Sequence, residues 1–408
     1  MNLIAVHFSP VLQRLRQYLK NLALGAAIGL VAAIAACGGG ANTAGVGSGG
    51  TGAFDVTAYS EGTITGFGSV IVNGLRYDDT VATVRDEDGP RSRSDLKLGM
   101  VIAVDGSIDS NNLGNASDIF YDSALLGPVS AVSAMNSAAK TFTIIGQTVQ
   151  VDDSTVLGAG LQQGFASITQ ADVLEVHGFL NAATNTLQAT LVERKSNASK
   201  YKISGLVKDL QPGARTLQIG SETFSFAQVD KEPLNNGSLV KLRLLPRAPT
   251  GTASWAVSSY STQSRSSASQ ERAEVEGLVT QIISPTLFSV SNILVDTRSA
   301  SFPDSNAAVA VGNRIQAKGK LVNGTLVAQE VKSQSKGSKD IELKGNLSDL
   351  NSTAKTFVLR GVTVSFTAPV VYDKGTEASL ANGANVEVKG KLISGTATVK
   401  ADSIKFPN

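Results

Sequence analysis

The feature that most constrains this chain is that it repeats itself. The stretch "IQAKGKLVNGTLVAQEV" at residues 315–331 returns as "VEVKGKLISGTATVKADSI" at residues 386–404. Fainter copies of the same pattern run back to about residue 61. A pattern that recurs every roughly 70 residues requires an array of like units, each too small to be a large domain on its own.

Each unit opens on a short segment centred on a glycine, namely Gly62, Gly127, Gly205, Gly277 and Gly345. Two segments with alternating apolar residues follow as a hairpin, as in "KTFTIIGQTVQVD" and "KTFVLRGVTVSFT". Gly74, Gly146 and Gly361 fall at or beside the hairpin turns, where a two-residue loop needs positive φ. After a variable stretch comes a fourth segment with glycines seven apart: Gly99 and Gly106, Gly312 and Gly319, Gly383 and Gly390. The second unit has Ala171 in the first of these places, and the third has Leu244 in the second. A last segment carries an alanine with an aliphatic residue three further on: Ala116 and Ile119, Ala328 and Val331, Ala401 and Ile404.

Five strands per unit, alternating as in "VEVKGKL", predict one buried and one wet face per strand. The glycine late in the fourth strand predicts a bulge where the strand bends between faces. The expected fold is all-β, a tandem array of about five small five-stranded OB-like barrels or rolls. The expected units are residues 56–126, 127–199, 200–268, 269–336 and 337–408. The polar spacers "TQSRSSASQERA" and "SQSKGSK" predict beads on a string that pivot about their linkers, and Leu244 predicts a less sharply coiled third barrel. No helical apolar periodicity of any length follows residue 40.

Residues 1–36 read differently. Arg14, Arg16 and Lys20 precede an apolar run over residues 22–36, shorter than the roughly 20 residues that span a bilayer. A basic start, a short apolar core and small residues before a cut are the grammar of a secretory signal peptide. "Ile34-Ala35-Ala36-Cys37" resembles the lipobox of bacterial lipoproteins, which implies lipid attachment at Cys37. Cys37 is the only cysteine, so no disulfide forms within one chain. Residues 37–55 form a Gly-rich tether, and Gly38 after the cysteine implies the outer membrane by resemblance to lipoprotein sorting.

Charge is divided along the chain. Residues 55–199 hold seventeen acids against eight bases, a net −9, and residues 200–408 carry a net +8. Such a division suits contact between opposite ends of two molecules, or reflects drift among solvated surfaces.

Beyond the general pattern, "GTITGFGSVIVNGLRYDD", "LKLGMVIAVDGSID" and "ASDIFYDSALLGPVS" resemble the domain-of-unknown-function family catalogued as 5666. The resemblance runs from about residue 61 onward and is strongest in the first two units. It implies tandem copies in bacterial envelope proteins and assigns no activity, so it implies no catalytic residue.

Signs of chemistry are sparse. The HExxH, CxxC and GxSxG signatures are missing from the sequence. "GVGSGG" at residues 45–50 fits GxGxxG but lies between a signal peptide and strands, so it is linker. His177, the one histidine after the signal peptide, reads as a surface or barrel-rim side chain. Asp78, Asp79, Asp86, Glu87 and Asp88 are gathered in the first unit. They fit an acidic hairpin turn, with a calcium loop or a carboxylate pair for glycoside hydrolysis as alternatives. Phe142, Phe288 and Phe357 alternate as core residues do, leaving no stacking platform for bases. Lys344, Lys389, Lys391 and Lys400 are spread out.

The expected function is that of a non-enzymatic, lipid-anchored envelope protein acting as spacer or multivalent binding surface. The expected partners are the membrane through its anchor and an envelope polysaccharide, peptidoglycan or another envelope protein, with no nucleic acid and no cofactor. The alternatives are a carboxylate-dependent carbohydrate-processing enzyme and a calcium-binding module.

Overall fold

The computed structural model describes residues 55–134, 139–227, 229, 234–245, 254–262, 268–304, 309–334 and 340–407. Among them every regular element is a strand apart from three single-turn 3-10 helices, as the alternating pattern predicts.

In the first unit, the first strand (Val56–Phe67) pairs antiparallel with the second (Val70–Val72) and with the fourth (Val101–Ile108). The second strand pairs antiparallel with the third (Leu75–Asp78), and the third runs parallel to the fifth (Leu113–Tyr121). The fifth returns antiparallel to the fourth and closes the ring. The same circuit recurs in the second unit and the third. It recurs again in the fourth and the fifth. A ring of this order, with its one parallel contact between third and fifth strands, is a small OB-like barrel.

Alternation fills each ring. In Asn385–Leu392 the residues Val386, Val388, Gly390 and Leu392 point inward and are buried. Phe142, Phe288 and Phe357 are core residues, each at most 1% exposed, and each such burial contributes about 2–3 kcal/mol. The glycines seven apart have two different tasks. The first holds positive φ, from +81° to +90° at Gly99, Gly237, Gly312 and Gly383, and Ala171 is forced to φ +69° in the same place. The second lets two backbones touch at a bulge: a Cβ on Gly319 would lie 2.0 Å from the Val327 carbonyl oxygen, and one on Gly390 2.1 Å from that of Lys400.

That bulge occurs in all five units at the same register, between the residue before the second position and the position itself. Leu244 keeps it, opposite Val257 and wholly buried. The expected loosening of the third barrel is therefore corrected, because the bulge follows from the fourth–fifth strand pairing and survives a side chain there.

The pivoting string of beads is also corrected. Residues 53–408 form one compact unit. The first strand of unit 1 runs parallel to that of unit 4, from Ala58 opposite Arg272 to Glu61 opposite Val275. Its far end pairs with unit 5 at Gly66–Glu342 and Phe67–Leu343. Units 2 and 3 join through Leu126 opposite Lys202 and Leu125 opposite Ile203. Strands that outrun their own ring leave N–H and C=O groups on an edge, and pairing with a neighbour satisfies them. Further hydrogen bonds add to the seams: the Asn73 side-chain amide donates to the Glu61 and Glu274 carbonyls at 3.0 and 3.1 Å, and the Ser221 backbone N–H donates to the Gly146 carbonyl at 3.1 Å.

Candidate functional site

Where units 1 to 4 meet, they enclose a cleft of about 530 Å³. Unit 1 contributes Glu61, Ile102, Phe120 and Asp122 from its ring, and Glu87 from a hairpin inserted between its third and fourth strands. Unit 2 contributes Phe179, Leu180 and Leu187; unit 3 Ser204, Lys241, Arg243 and residues 259–261; unit 4 Ser291 and Asn292.

One wall is a lattice of ion pairs between units 1 and 3. Lys202 and Arg243 face each other across paired strands, as do Ser204 and Lys241. Cations directly opposite one another repel, and the carboxylates of unit 1 relieve this. Glu87 lies 2.6 Å from Lys202 and 3.3 Å from Arg243. Asp88 lies 2.9 Å from Arg243, and Asp122 is shared by Lys202 at 3.4 Å and by Lys241. Burial penalises the Lys202 charge, yet Asp122 and Glu87 outweigh it and raise its pKa above the ordinary lysine value. The uneven charge along the sequence thus finds a partner within one molecule.

The acidic run of unit 1 is the hairpin turn that its composition predicts. The Asp86 carboxylate accepts from the N–H groups of Asp88 and Gly89 at 2.8 and 3.1 Å and pairs with Arg91 at 2.7 Å. Asp78 accepts from Thr80 N–H at 2.9 Å. Of the five acids only Glu87 lines the cleft; Asp78, Asp79 and Asp86 do not. The described residues contain no group of three or more acidic, histidine or cysteine side chains arranged to hold a metal.

His177 is not on a rim, and the expectation is corrected: it is 1% exposed, beneath Tyr121 at a ring separation of 6.5 Å. It stands at the bulge, just before Gly178, on the barrel face that unit 1 covers through Tyr121. Neither ring nitrogen has a hydrogen-bond partner among the described residues. Burial pushes its pKa down to about 4. Burial also opposes the charge of neighbouring Glu175, but His177 and Lys195, the latter 2.7 Å away, hold that carboxyl down at about 2.

Cys37, the signal segment and the tether lie outside the described residues. Among the described residues no helix is long and apolar enough to cross a membrane. Glu61, Asp122, Ser204, Lys241 and Arg243 were not legible as site residues. The one signal for them, like charges facing each other across a strand pair, exists only once the register is known.

Fold and cleft together define a protein of fused, tandem OB-like barrels, four of which border a cleft with both polar and apolar walls. The chain belongs to the family described as "Domain of unknown function (DUF5666)", whose model matches residues 61–119, 127–193, 276–332 and 344–405, more than half of the chain. The third unit, which carries Leu244, is the one without a match. A solved structure described as "drosophila Unr CSD456" is similar at 12% identity and a TM-score of 0.14, over 53% of this chain and 99% of that one. No curated protein matches the chain.

Proposed function

We propose that this is a non-enzymatic, lipid-anchored protein of the bacterial cell envelope. In this reading it is exported on residues 1–36, acylated at Cys37 and held off the outer membrane by the tether of residues 37–55. Its barrels serve as a stiff spacer that carries a binding surface for an envelope polysaccharide, peptidoglycan or another envelope protein. The observation that supports this most is the fusion of five like barrels into one body, four of which line a shared cleft. Repetition joined by strand pairing suits a rigid platform, whereas an active site needs only one unit. A carboxylate-dependent glycoside hydrolase would require a carboxyl kept protonated, and Glu87 and Asp122 of the cleft are each shared by two cations instead.

Intact-mass analysis of membrane fractions from wild type and Cys37→Ala tests the address. The expected result is a mature species beginning at a diacylated Cys37, lost in the variant. A soluble or unacylated wild-type protein would overturn the proposal.

A further inference from the structure

We infer that the cleft between units 1, 2, 3 and 4 binds an uncharged carbohydrate chain. The inference rests on reading this cleft as the protein's binding surface, and three observations narrow its ligand.

The first is charge. Three carboxylates, Glu61, Glu87 and Asp122, line the cleft against two cations, Lys241 and Arg243. Both cations are already paired with carboxylates of unit 1. With Lys202, which is also committed to Glu87 and Asp122, the wall is close to neutral and its cations are engaged, so it offers little attraction to nucleic acids, phosphorylated polymers and acidic glycans.

The second is edge structure. The lining strands Val101–Ile108 and Leu239–Leu244 are paired on both sides, whereas the lining parts of Val173–Asn181 and Trp255–Ser261, residues 178–181 and 259–261, are paired on one side only among the described residues. An extended peptide recognised by strand addition would find only these short edges to join.

The third is the pattern of the remaining surface. Ser204, Ser259, Ser261, Ser291 and Asn292 present hydroxyl and amide groups. The Ser204 hydroxyl oxygen is buried without a hydrogen-bond partner among the described residues. Phe120, Phe179, Leu180 and Leu187 supply apolar surface in the same cavity. Hydroxyl and amide groups beside aromatic and aliphatic surface match a sugar ring, which has polar edges and C–H faces. A volume of about 530 Å³ lies within the range of small-ligand sites and admits a short stretch of such a chain.

The test is calorimetric titration of the full chain with neutral tetrasaccharides of glucose, galactose, mannose and N-acetylglucosamine, beside an oligogalacturonate as the acidic probe. At least one neutral probe is expected to bind one to one, and the acidic probe not at all. Ser259→Trp, which fills the cleft from a half-exposed position, is expected to weaken binding at least tenfold. Thr353→Trp, on an exposed loop of unit 5, leaves binding unchanged. Should Ser259→Trp fail to fold, Ser261→Trp takes its place. Preferred binding of the acidic probe, no binding of any neutral probe, or unaltered affinity in the cleft variant would each overturn the inference. An acylated Cys37 with no sugar binding refutes the cleft ligand and leaves the address. Sugar binding by an unacylated protein does the reverse.

Discussion

Lys202 and Arg243 stand opposite each other on paired strands of unit 3, and both converge on Glu87 of unit 1, at 2.6 and 3.3 Å. The juxtaposition is tolerable only while the carboxylate is present, so a locally unfavourable pair of cations becomes a clamp between two barrels.

Removing that carboxylate should therefore cost more than an exposed ion pair would. Glu87→Gln is expected to lower stability by about 2 kcal/mol, less than the 3–5 kcal/mol of a fully enclosed pair because Arg243 retains solvent contact. Denaturant titration of the full chain reads this. A loss below about 0.5 kcal/mol would mean that the clamp is only a surface contact.

At the bulge of unit 4, Gly319 serves close approach and not φ. Gly319→Ala sets a Cβ against the Val327 carbonyl oxygen and should cost about 2 kcal/mol or more. Ala171→Gly should do the opposite. It relieves a left-handed alanine at φ +69° worth about 1–2 kcal/mol, partly offset by unfolded-chain entropy, for a net gain of roughly 0.5 kcal/mol. Thermal melts of the two variants should move in opposite directions.

His177 makes stability sensitive to mild acid. Its folded pKa is about 4 against an ordinary value of 6.5, so below pH 6.5 the unfolded chain binds a proton that the folded chain refuses. Stability should fall by about 3 kcal/mol between pH 6.5 and 4 from this group. Glu175, depressed to about 2, adds a loss that begins near its ordinary value of 4.5 and runs down to pH 2. His177→Leu should flatten the upper part of the pH profile and shrink the lower part as well, leaving only the share of the Glu175 depression that Lys195 and Lys202 supply. An unchanged profile between pH 6.5 and 4.5 would contradict the burial of a neutral ring.

Calcium should do nothing. Asp86 is occupied by backbone N–H groups and Arg91, and Glu87 and Asp88 by cations of unit 3. The melting temperature in millimolar calcium and in chelator should agree. A rise with calcium, by mass action on a folded-state site, would show that these acids rearrange around an ion.

Much of each barrel was legible in the sequence because its determinants are local. Alternation marks the core positions of Phe142, Phe288 and Phe357, and a glycine late in the fourth strand, such as Gly319, marks the bulge. What lay between units was not legible. The cleft draws on residues from Glu61 to Asn292, and no periodicity in one segment reports the side chains of another. Glu87 read as a turn acid, which it is, but its cationic partners depend on a register formed by strands more than a hundred residues further on. His177 misled for a related reason: alternation with the core residues Leu174 and Val176 places it on the outer face of its barrel, and that face is covered by Tyr121 of unit 1.

The parallel pairing of Ala58 with Arg272 and of Gly66 with Glu342 also bears on how the molecule is made. A chain emerging N-terminus first presents unit 1 long before the strands that cover its edge exist. Units 2 and 3 can dock on each other in the meantime, since they are neighbours in sequence. Unit 1 must wait, with a strand edge bare, for partners more than two hundred residues away, and such distant pairing is slow and exposed to mispairing. Assembly is therefore gated by arrival of the last two units, and any chain cut short before residue 340 would carry an adhesive edge into whatever compartment receives it.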